Sequence, residues 1–257
     1  AFSGGAALSK EVGEFVDNLG ITVYEGYGLT ETSPISTGNC PAGQVIGSVG
    51  RAIPGVQIKI DPVEAAPEGQ GEIIVYGPNV MQGYHNLPEK TAEVMTEDGG
   101  FRTGDLGRLD SDGFLYITGR VKEQYKLENG KYVAPAPLEE QLKLSGFINQ
   151  ALIDGTNRSY NAALIVPDFE TLRPWSVAQG MGQLRDAELC ASAAVKALIE
   201  GEIKGRAAAF KSYELPKKFV LIAEEFSTEN GMLTPKMSLK RRVIMAEHGD
   251  ALAALYN

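Results

Sequence analysis

The chain has 257 residues, of which 43% are hydrophobic and 22% charged. That length makes one large domain or two small ones, and the composition excludes a disordered tail or a fibrous repeat. The net charge of -9 resides in residues 1–120, with 7 basic against 16 acidic side chains, whereas 121–257 carry 17 of each; so acidic a whole disfavours a nucleic-acid partner. No apolar run approaches the ~18 residues of a membrane span, and with no charged-then-apolar pattern in the opening residues a signal peptide is not expected there. Cys40 and Cys190 lack C-x-x-C spacing, which argues against a disulfide framework or a zinc site and makes a reducing cytoplasm the expected compartment.

In chain order, residues 8–19 predict a short amphipathic helix, with Leu8, Val12, Phe15, Val16 and Leu19 near one face and Gly20 ending it. Glycines then recur, separating β-type runs at 56–60, 72–76 and 114–118 that predict a compact β-rich unit. The texture changes at 120–122. A polar stretch leads to a predicted helix over 137–144, a strand over 162–166, a long helix over about 186–210 and a strand over 219–223. Residues 204–242 hold 9 basic and 4 acidic side chains. Such an excess suits a small polyanion, although a solvated charged face reads the same.

Several motifs carry chemistry, each with a plainer structural reading beside it. SGGAAL at 3–8 lets backbone approach a ligand at a helix N-terminus, or is simply a loop entering a helix. In YEGYGLTE at 24–31, Tyr27 lies between Gly26 and Gly28 as a stacking platform. Thr30 and Glu31 there offer a hydroxyl and a carboxylate to phosphate oxygens and a hard cation; a glycine-rich turn with a buried tyrosine is the alternative. FRTGDLG at 101–107 is read as a tight turn whose Asp105 either accepts two ribose hydroxyls or caps its own backbone. GRVKEQYKLENGKYVAP at 119–135 gathers Arg120, Lys122, Lys126 and Lys131 around glycines, as a hinge, a phosphate contact or a solvated loop. ENGMLTPKMSLKRR at 229–242 presents Lys236, Lys240, Arg241 and Arg242. A lysine there could neutralise charge developing at a phosphate, while a basic helix start or a membrane-surface patch is equally compatible. His85 and His248 share no motif with a nucleophile, and no Ser-His-Asp, zinc or paired-carboxylate site can be assembled.

The order of these motifs is more specific than any one of them. YEGYGLTET, GEIIVYGPNVMQGYHN, FRTGDLG, GRVKEQYKLENGKYVAP and LTPKMSLKRR together resemble the later half of an adenylate-forming enzyme. That superfamily includes acyl-CoA synthetases, luciferases and peptide-synthetase adenylation domains. With ALIVPDFETLRPW following, the chain is most similar to the long-chain fatty-acid–CoA ligase branch.

The resemblance implies an α/β and α+β fold. Residues 1–120 would be the end of the large adenylation domain, with an α/β tail over 1–40 and a β-rich subdomain over 41–118. Residues 121–257 would be the small mobile C-terminal domain, with the hinge near 120–122. It implies ATP, Mg2+, coenzyme A and a fatty acid as reactants, joined in an adenylation followed by a thioester-forming step. Residue by residue, Gly5 and Ala6 would line the adenine site, with Gly28 in the same nucleotide-binding set, and Tyr27 would stack on the base. Thr30 would touch the α-phosphate and Glu31 would hold the metal. Asp105 and Arg120 would bind the ribose, Lys122 would be the hinge, and Lys126 and Gly130 would face the thioester-forming step, Gly130 leaving room for the pantetheine arm.

Two departures accompany the likeness. Ser238 stands where long-chain members carry the adenylation lysine, with Lys236 and Lys240 two residues to either side, and Lys236 is the expected substitute. The family's phosphate-binding loop would lie upstream of SGGAAL, so the missing N-terminal portion of the same enzyme is an expected partner and the chain is expected not to adenylate alone. An acyl-AMP or acyl-carrier-protein ligase, or a non-catalytic nucleotide- or CoA-binding module, are the alternatives. Peripheral membrane contact fits so greasy a substrate, though no amphipathic anchor stands out.

Overall fold

The computed structural model describes residues 1–5, 8–64, 66–206 and 210–257. The chain divides into two units, Ala1–Gln124 and Tyr125–Asn257.

In the first unit, Phe2–Ser3 (β1) pairs in parallel with Tyr24–Tyr27 (β2), which continues antiparallel through Thr37–Gly38 (β3) to Arg51–Ala52 (β4). Between β1 and β2 lies Lys10–Asn18 (α1), started by Ser9, whose hydroxyl accepts the Val12 N–H at 3.2 Å. The helix forms, but much of its apolar stripe meets water: Phe15 is 63% and Leu19 62% exposed. What α1 buries is Gly13, packed against the Ile46 side chain.

A second sheet is an antiparallel meander of Gln57–Pro62 (β5), Gly71–Tyr76 (β6), Phe101–Leu109 (β7) and Leu115–Arg120 (β8), with Pro88–Val94 (α2) preceding β7. Ile58, Ile73, Val75 and Leu115 form its core. FRTGDLG is thus strand, not the expected tight turn. Phe101 and Leu106 are buried, so the segment has apolar anchors that a surface turn would lack. Gly104 takes φ +71, and the ladder shifts register opposite both neighbours, between Glu72 and Ile74 and between Leu106 and Gly107. Such bulges let a strand absorb a glycine in left-handed conformation without ending.

The second unit opens with a hairpin of Tyr125–Lys126 (β9) and Tyr132–Val133 (β10), followed by Pro135–Leu142 (α3). Ile148–Asp154 (β11) pairs antiparallel with Asn161–Pro167 (β12), which runs parallel to Pro216–Leu221 (β13). The helices are Phe169–Ala178 (α4), Asp186–Ala191 (α5), Ala193–Arg206 (α6) and Arg241–Ala253 (α7). Every residue of β12 is buried. Its Ala163 and Ile165 pack with Leu138, Leu172, Leu189 and Ile199, while Ala162, Leu164 and Val166 pack with Ile244 and Leu252. A strand covered on both faces reads as a continuous apolar run, as this one does.

The single helix expected over about 186–210 is two, broken at Ser192, whose ψ is 133°; residues 207–209 lie outside the described ones. In an unbroken helix Val195 would sit about 120° round the axis from Leu189. Both side chains are buried in the same cluster, and the break lets both reach it.

One ion pair ties three elements of this unit together. Glu139 of α3, 3% exposed, accepts the Ile153 N–H of β11 at 2.6 Å and pairs with Arg241 at the start of α7. Arg241 also donates to the Ile153 carbonyl at 3.1 Å. Removing one partner of such a pair strands a buried charge at a cost of about 3–5 kcal/mol. Arg241→Met should therefore lower the urea midpoint of this unit, read by its one tryptophan, Trp175. The double variant Glu139→Gln/Arg241→Met should recover part of that loss; a double variant no more stable than Arg241→Met would contradict this reading.

Candidate functional site

Side chains from two other elements of the first unit meet the carboxylate of Asp105 on β7. The Tyr27 hydroxyl of β2 donates to Oδ2 at 2.7 Å, and Arg120 at the end of β8 places Nε 3.1 Å from Oδ1. The Thr103 hydroxyl accepts the Asp105 N–H at 3.1 Å while donating to the Ile73 carbonyl at 2.8 Å, pinning the bulge. The register that pairs Asp105 with Arg120 sets the ion pair. Tyr27 does not stand clear between its glycines. Its half-buried ring packs against the Ile58–Ile73–Val75–Leu115 core, and its hydroxyl reaches Asp105.

Burial raises the Asp105 carboxyl above the usual range, and Glu123 and Glu72 push the same way. The Tyr27 hydrogen bond and the Arg120 charge oppose them. Tyr27 itself is raised, chiefly by burial and then by the Asp105 charge, so it stays a hydrogen-bond donor. A carboxylate offers about four acceptor positions, so two partners leave room for ligand hydroxyls.

Thr30 and Glu31 lie in a one-turn helix, Thr30–Thr32, directly after the Tyr27–Gly28 step. Thr30 is exposed. Glu31 Oε1 accepts from the Tyr84 hydroxyl at 3.0 Å, and its carbonyl accepts the Met81 N–H at 2.8 Å. Tyr84 is raised by burial and then by Glu31. Gly28 is glycine for a structural reason, because a Cβ there would fall 1.9 Å from the Pro34 carbonyl oxygen. Asn79, which donates to the Thr32 and Ile35 carbonyls, holds the same loop from the other side.

The remaining expected residues fall elsewhere. Gly5 is exposed with φ +88, and Ala6 lies outside the described residues. Lys122 is exposed in the short helical turn Val121–Glu123. Lys126 and Gly130 belong to the β9–β10 hairpin, where Gly130 takes φ +84 at the turn and a Cβ would meet only Lys126 Cε at 3.8 Å. Lys236 is exposed at the tip of a loop closed by the Leu233–Leu239 bridge and by Thr234 N–H to the Ser238 carbonyl at 2.9 Å. Lys240 sits at the base of that loop, its N–H bound to the Met232 carbonyl at 2.8 Å. The loop thus distinguishes the two candidate lysines by position.

Comparison with known proteins matches the AMP-binding enzyme description over residues 1–85 and the AMP-binding enzyme C-terminal domain over residues 122–257. The chain belongs to the AMP-binding enzyme family. It is 37% identical to the long-chain-fatty-acid–CoA ligase FadD15 of Mycobacterium bovis, over 100% of this chain and 42% of that protein. It is 38% identical to the human long-chain-fatty-acid–CoA ligase 1, over 93% of this chain and 35% of that protein. Among solved structures, the adenylation domain of a carboxylate reductase from Mycobacterium chelonae matches with a TM-score of 0.81 at 30% identity, covering 100% of this chain and 38% of that one. The chain therefore spans about two fifths of the length of these ligases.

Within this AMP-binding enzyme chain, Tyr84, Asn79 and Thr103 are the site-shaping residues that sequence reasoning missed. Tyr84 and Asn79 stand in GEIIVYGPNVMQGYHN, a motif recognised as a whole, and only the folded chain shows their hydroxyl and amide reaching the Glu31 loop. Among the described residues no group of three or more His, Cys, Asp or Glu side chains could hold a metal by itself. Glu31, one oxygen held by Tyr84, suits instead a magnesium ion bound through one carboxylate and the phosphates of a substrate.

The raised Asp105 value has a definite sign. The folded chain binds the proton more tightly than the unfolded one, so Asp105's contribution to stability is largest at low pH. It falls as pH rises from the unfolded value, about 3.9, through the folded one. An NMR titration of the Asp105 carboxyl should give a midpoint above about 3.9, and Arg120→Met should move it higher still. A midpoint at or below the unfolded value would show that Tyr27 and Arg120 outweigh burial.

Proposed function

We propose that this chain is the C-terminal portion of an ATP-dependent long-chain fatty-acid–CoA ligase. The observation that carries the reading is the convergence of Tyr27 and Arg120 on Asp105, three residues from three separate motifs. In the first step a fatty carboxylate attacks the α-phosphorus of ATP, giving acyl-adenylate and releasing pyrophosphate. In the second the coenzyme A thiol attacks the acyl carbon and AMP leaves. The chemistry asks the protein for position and charge neutralisation rather than a nucleophile, in keeping with a sequence that offers no nucleophile–base pair.

Asp105 accepts the ribose hydroxyls, and Tyr27 and Arg120 fix its orientation. Tyr27 and Gly28, with Gly5, border the base. Thr30 donates to an α-phosphate oxygen. Glu31, oriented by Tyr84, holds the Mg2+ that accompanies ATP and offsets phosphate charge when bound. Lys236, free at its loop tip, supplies the mobile positive charge. Lys122 is the hinge, and Lys126 and Gly130 belong to the face used in thioester formation. The exposed Phe2, Phe15, Leu19 and Ile21 are covered in the longer enzyme by the rest of its adenylation domain, because so much uncovered apolar surface is costly. A second reading has one observation in its favour. The chain also resembles, at 29% identity and a TM-score of 0.80, an A-PCP didomain of a carboxylic acid reductase from Segniliparus rugosus, so a carrier-protein thiol is the competing acceptor.

Palmitate-dependent ATP–pyrophosphate exchange tests the reading. The 257-residue chain alone should give none, whereas the longer ligase containing it should exchange. In that enzyme Asp105→Ala should lower kcat/KM for ATP by about 10- to 100-fold, the worth of hydrogen bonds to a charged group. Lys236→Ala should lower the exchange rate by about 100- to 1,000-fold, and Lys240→Ala should change it little. Robust exchange by the isolated chain would overturn the proposal. Free coenzyme A failing as acceptor while a carrier protein succeeds would transfer it to the second reading.

A further inference from the structure

In the second unit, six cations stand apart from the others in how they are partnered. Lys126, Lys131, Arg158, Lys211, Lys217 and Lys218 are all exposed, and among the described residues none has a carboxylate oxygen within 4.0 Å. They lie instead over tyrosine rings. Lys126 is 5.0 Å from the centroid of Tyr132, and Lys131 and Lys211 are 4.5 and 5.8 Å from that of Tyr213. Lys217 and Lys218 are 5.6 and 5.9 Å from that of Tyr160. Tyr160 in turn stacks on Tyr256 at 5.0 Å, and Arg158 covers Tyr256 at 4.8 Å.

Backbone hydrogen bonds make these pairs one continuous belt. The turn after β11 is bonded to the β9–β10 hairpin through Asn157 N–H to the Lys126 carbonyl and Glu128 N–H to the Arg158 carbonyl, each 2.9 Å. The buried Asn161 amide donates to the Tyr213 carbonyl at 3.0 Å and to the Glu214 carbonyl at 2.7 Å, fixing the segment before β13 against the same hairpin, whose Tyr125 hydroxyl donates to Asn161 at 2.8 Å. Three acidic residues share these segments, and two are occupied: Asp154 by Thr156 and Glu214 by the Lys211 N–H. Glu128 is exposed on the hairpin. The belt is thus net positive within a unit of no net charge.

We propose that this belt docks on an anionic phospholipid surface. Exposed cations without carboxylate partners match an array of phosphates, and half-buried tyrosines suit the headgroup level, where an apolar ring and a polar tip are both accommodated. The use of such docking, delivery of a fatty acid dissolved in the bilayer, rests on the ligase reading. The docking itself rests on charge and geometry alone. Lysines on the edge strand β13 also discourage strand pairing, a role that predicts no lipid binding.

The test is sedimentation of the 257-residue chain with vesicles of phosphatidylcholine alone and of an equimolar phosphatidylcholine–phosphatidylglycerol mixture, at low and high salt, without ATP or fatty acid. Its outcome is therefore independent of ligase activity. The chain should pellet with the anionic vesicles, and high salt should release it. Lys217→Glu/Lys218→Glu should weaken partitioning by at least about tenfold, and the gentler Lys131→Gln/Lys211→Gln should weaken it less. Lys90→Glu/Lys143→Glu, an equal change of charge off the belt, should leave it unaltered. Equal pelleting with both vesicle types, or belt variants that partition like the parent, would overturn the proposal. So would vesicles that fail to bind while free coenzyme A binds in a belt-dependent way, which would make the belt a soluble-nucleotide site.

Discussion

A carboxylate taken out of water must be repaid by hydrogen bonds and opposite charge, and the first unit is organised around that requirement at Asp105. Its side chain is 13% exposed, and the two partners that satisfy it come from β2 and β8. The bulge at Gly104 and the two register shifts turn the strand so that Phe101 and Leu106 stay in the core while Asp105 faces Tyr27 and Arg120. The same constraint explains why Tyr27 packs its ring in the core and spends its hydroxyl on the site. A ring held by apolar contacts is a better anchor for a short hydrogen bond than a ring free to turn.

The second unit solves a similar problem with a different device. Here the sheet is covered on both faces, and its central strand β12 contributes alternate residues to two separate apolar clusters. Helices on opposite faces share no apolar contact through such a strand, so something polar must set α7 relative to α3. Glu139 and Arg241, both bonded to Ile153, do this. The arrangement fixes the start of α7 and, with the Lys240–Met232 hydrogen bond, the base of the loop that carries Lys236. A lysine at the tip of a loop whose base is clamped has a defined reach while its side chain remains free.

Charge is distributed accordingly. Acidic side chains dominate residues 1–120, yet the site there gathers a guanidinium and two hydroxyls round its carboxylates. In residues 121–257 basic and acidic residues balance in number but not in place. Several cations are paired with carboxylates along or between helices, as Lys143 is with Glu140 and Arg173 with Asp186, whereas the belt cations rest on aromatic rings. A count of charges cannot distinguish these two situations, because pairing depends on which side chains the fold brings within reach.

Local pattern in the sequence was enough to locate α1, α3, β5, β6, β8, β12 and β13, since each carries an apolar period or an apolar run bounded by glycine or proline. The ordered motifs were enough to indicate the family, because five short segments in sequence are far more specific than any single one. The strand character of 101–109 and the break at Ser192 were decided by tertiary structure: glycine and aspartate signal a turn locally, and only pairing with β6 and β8 overrides them, while the helix breaks because two buried side chains would otherwise face different directions. The strand β11 and the helices α4 and α7 acquire their burial from the sheet and from one another. Sequence alone also named Tyr27, Asp105 and Arg120 as chemically able residues, but taken singly Tyr27 had an even structural alternative, and Asp105 and Arg120 had a stronger one. Their meeting at one carboxylate, with Tyr84 on Glu31 beside it, depends on strand register and a bulge, which are properties of paired strands and not of any one segment.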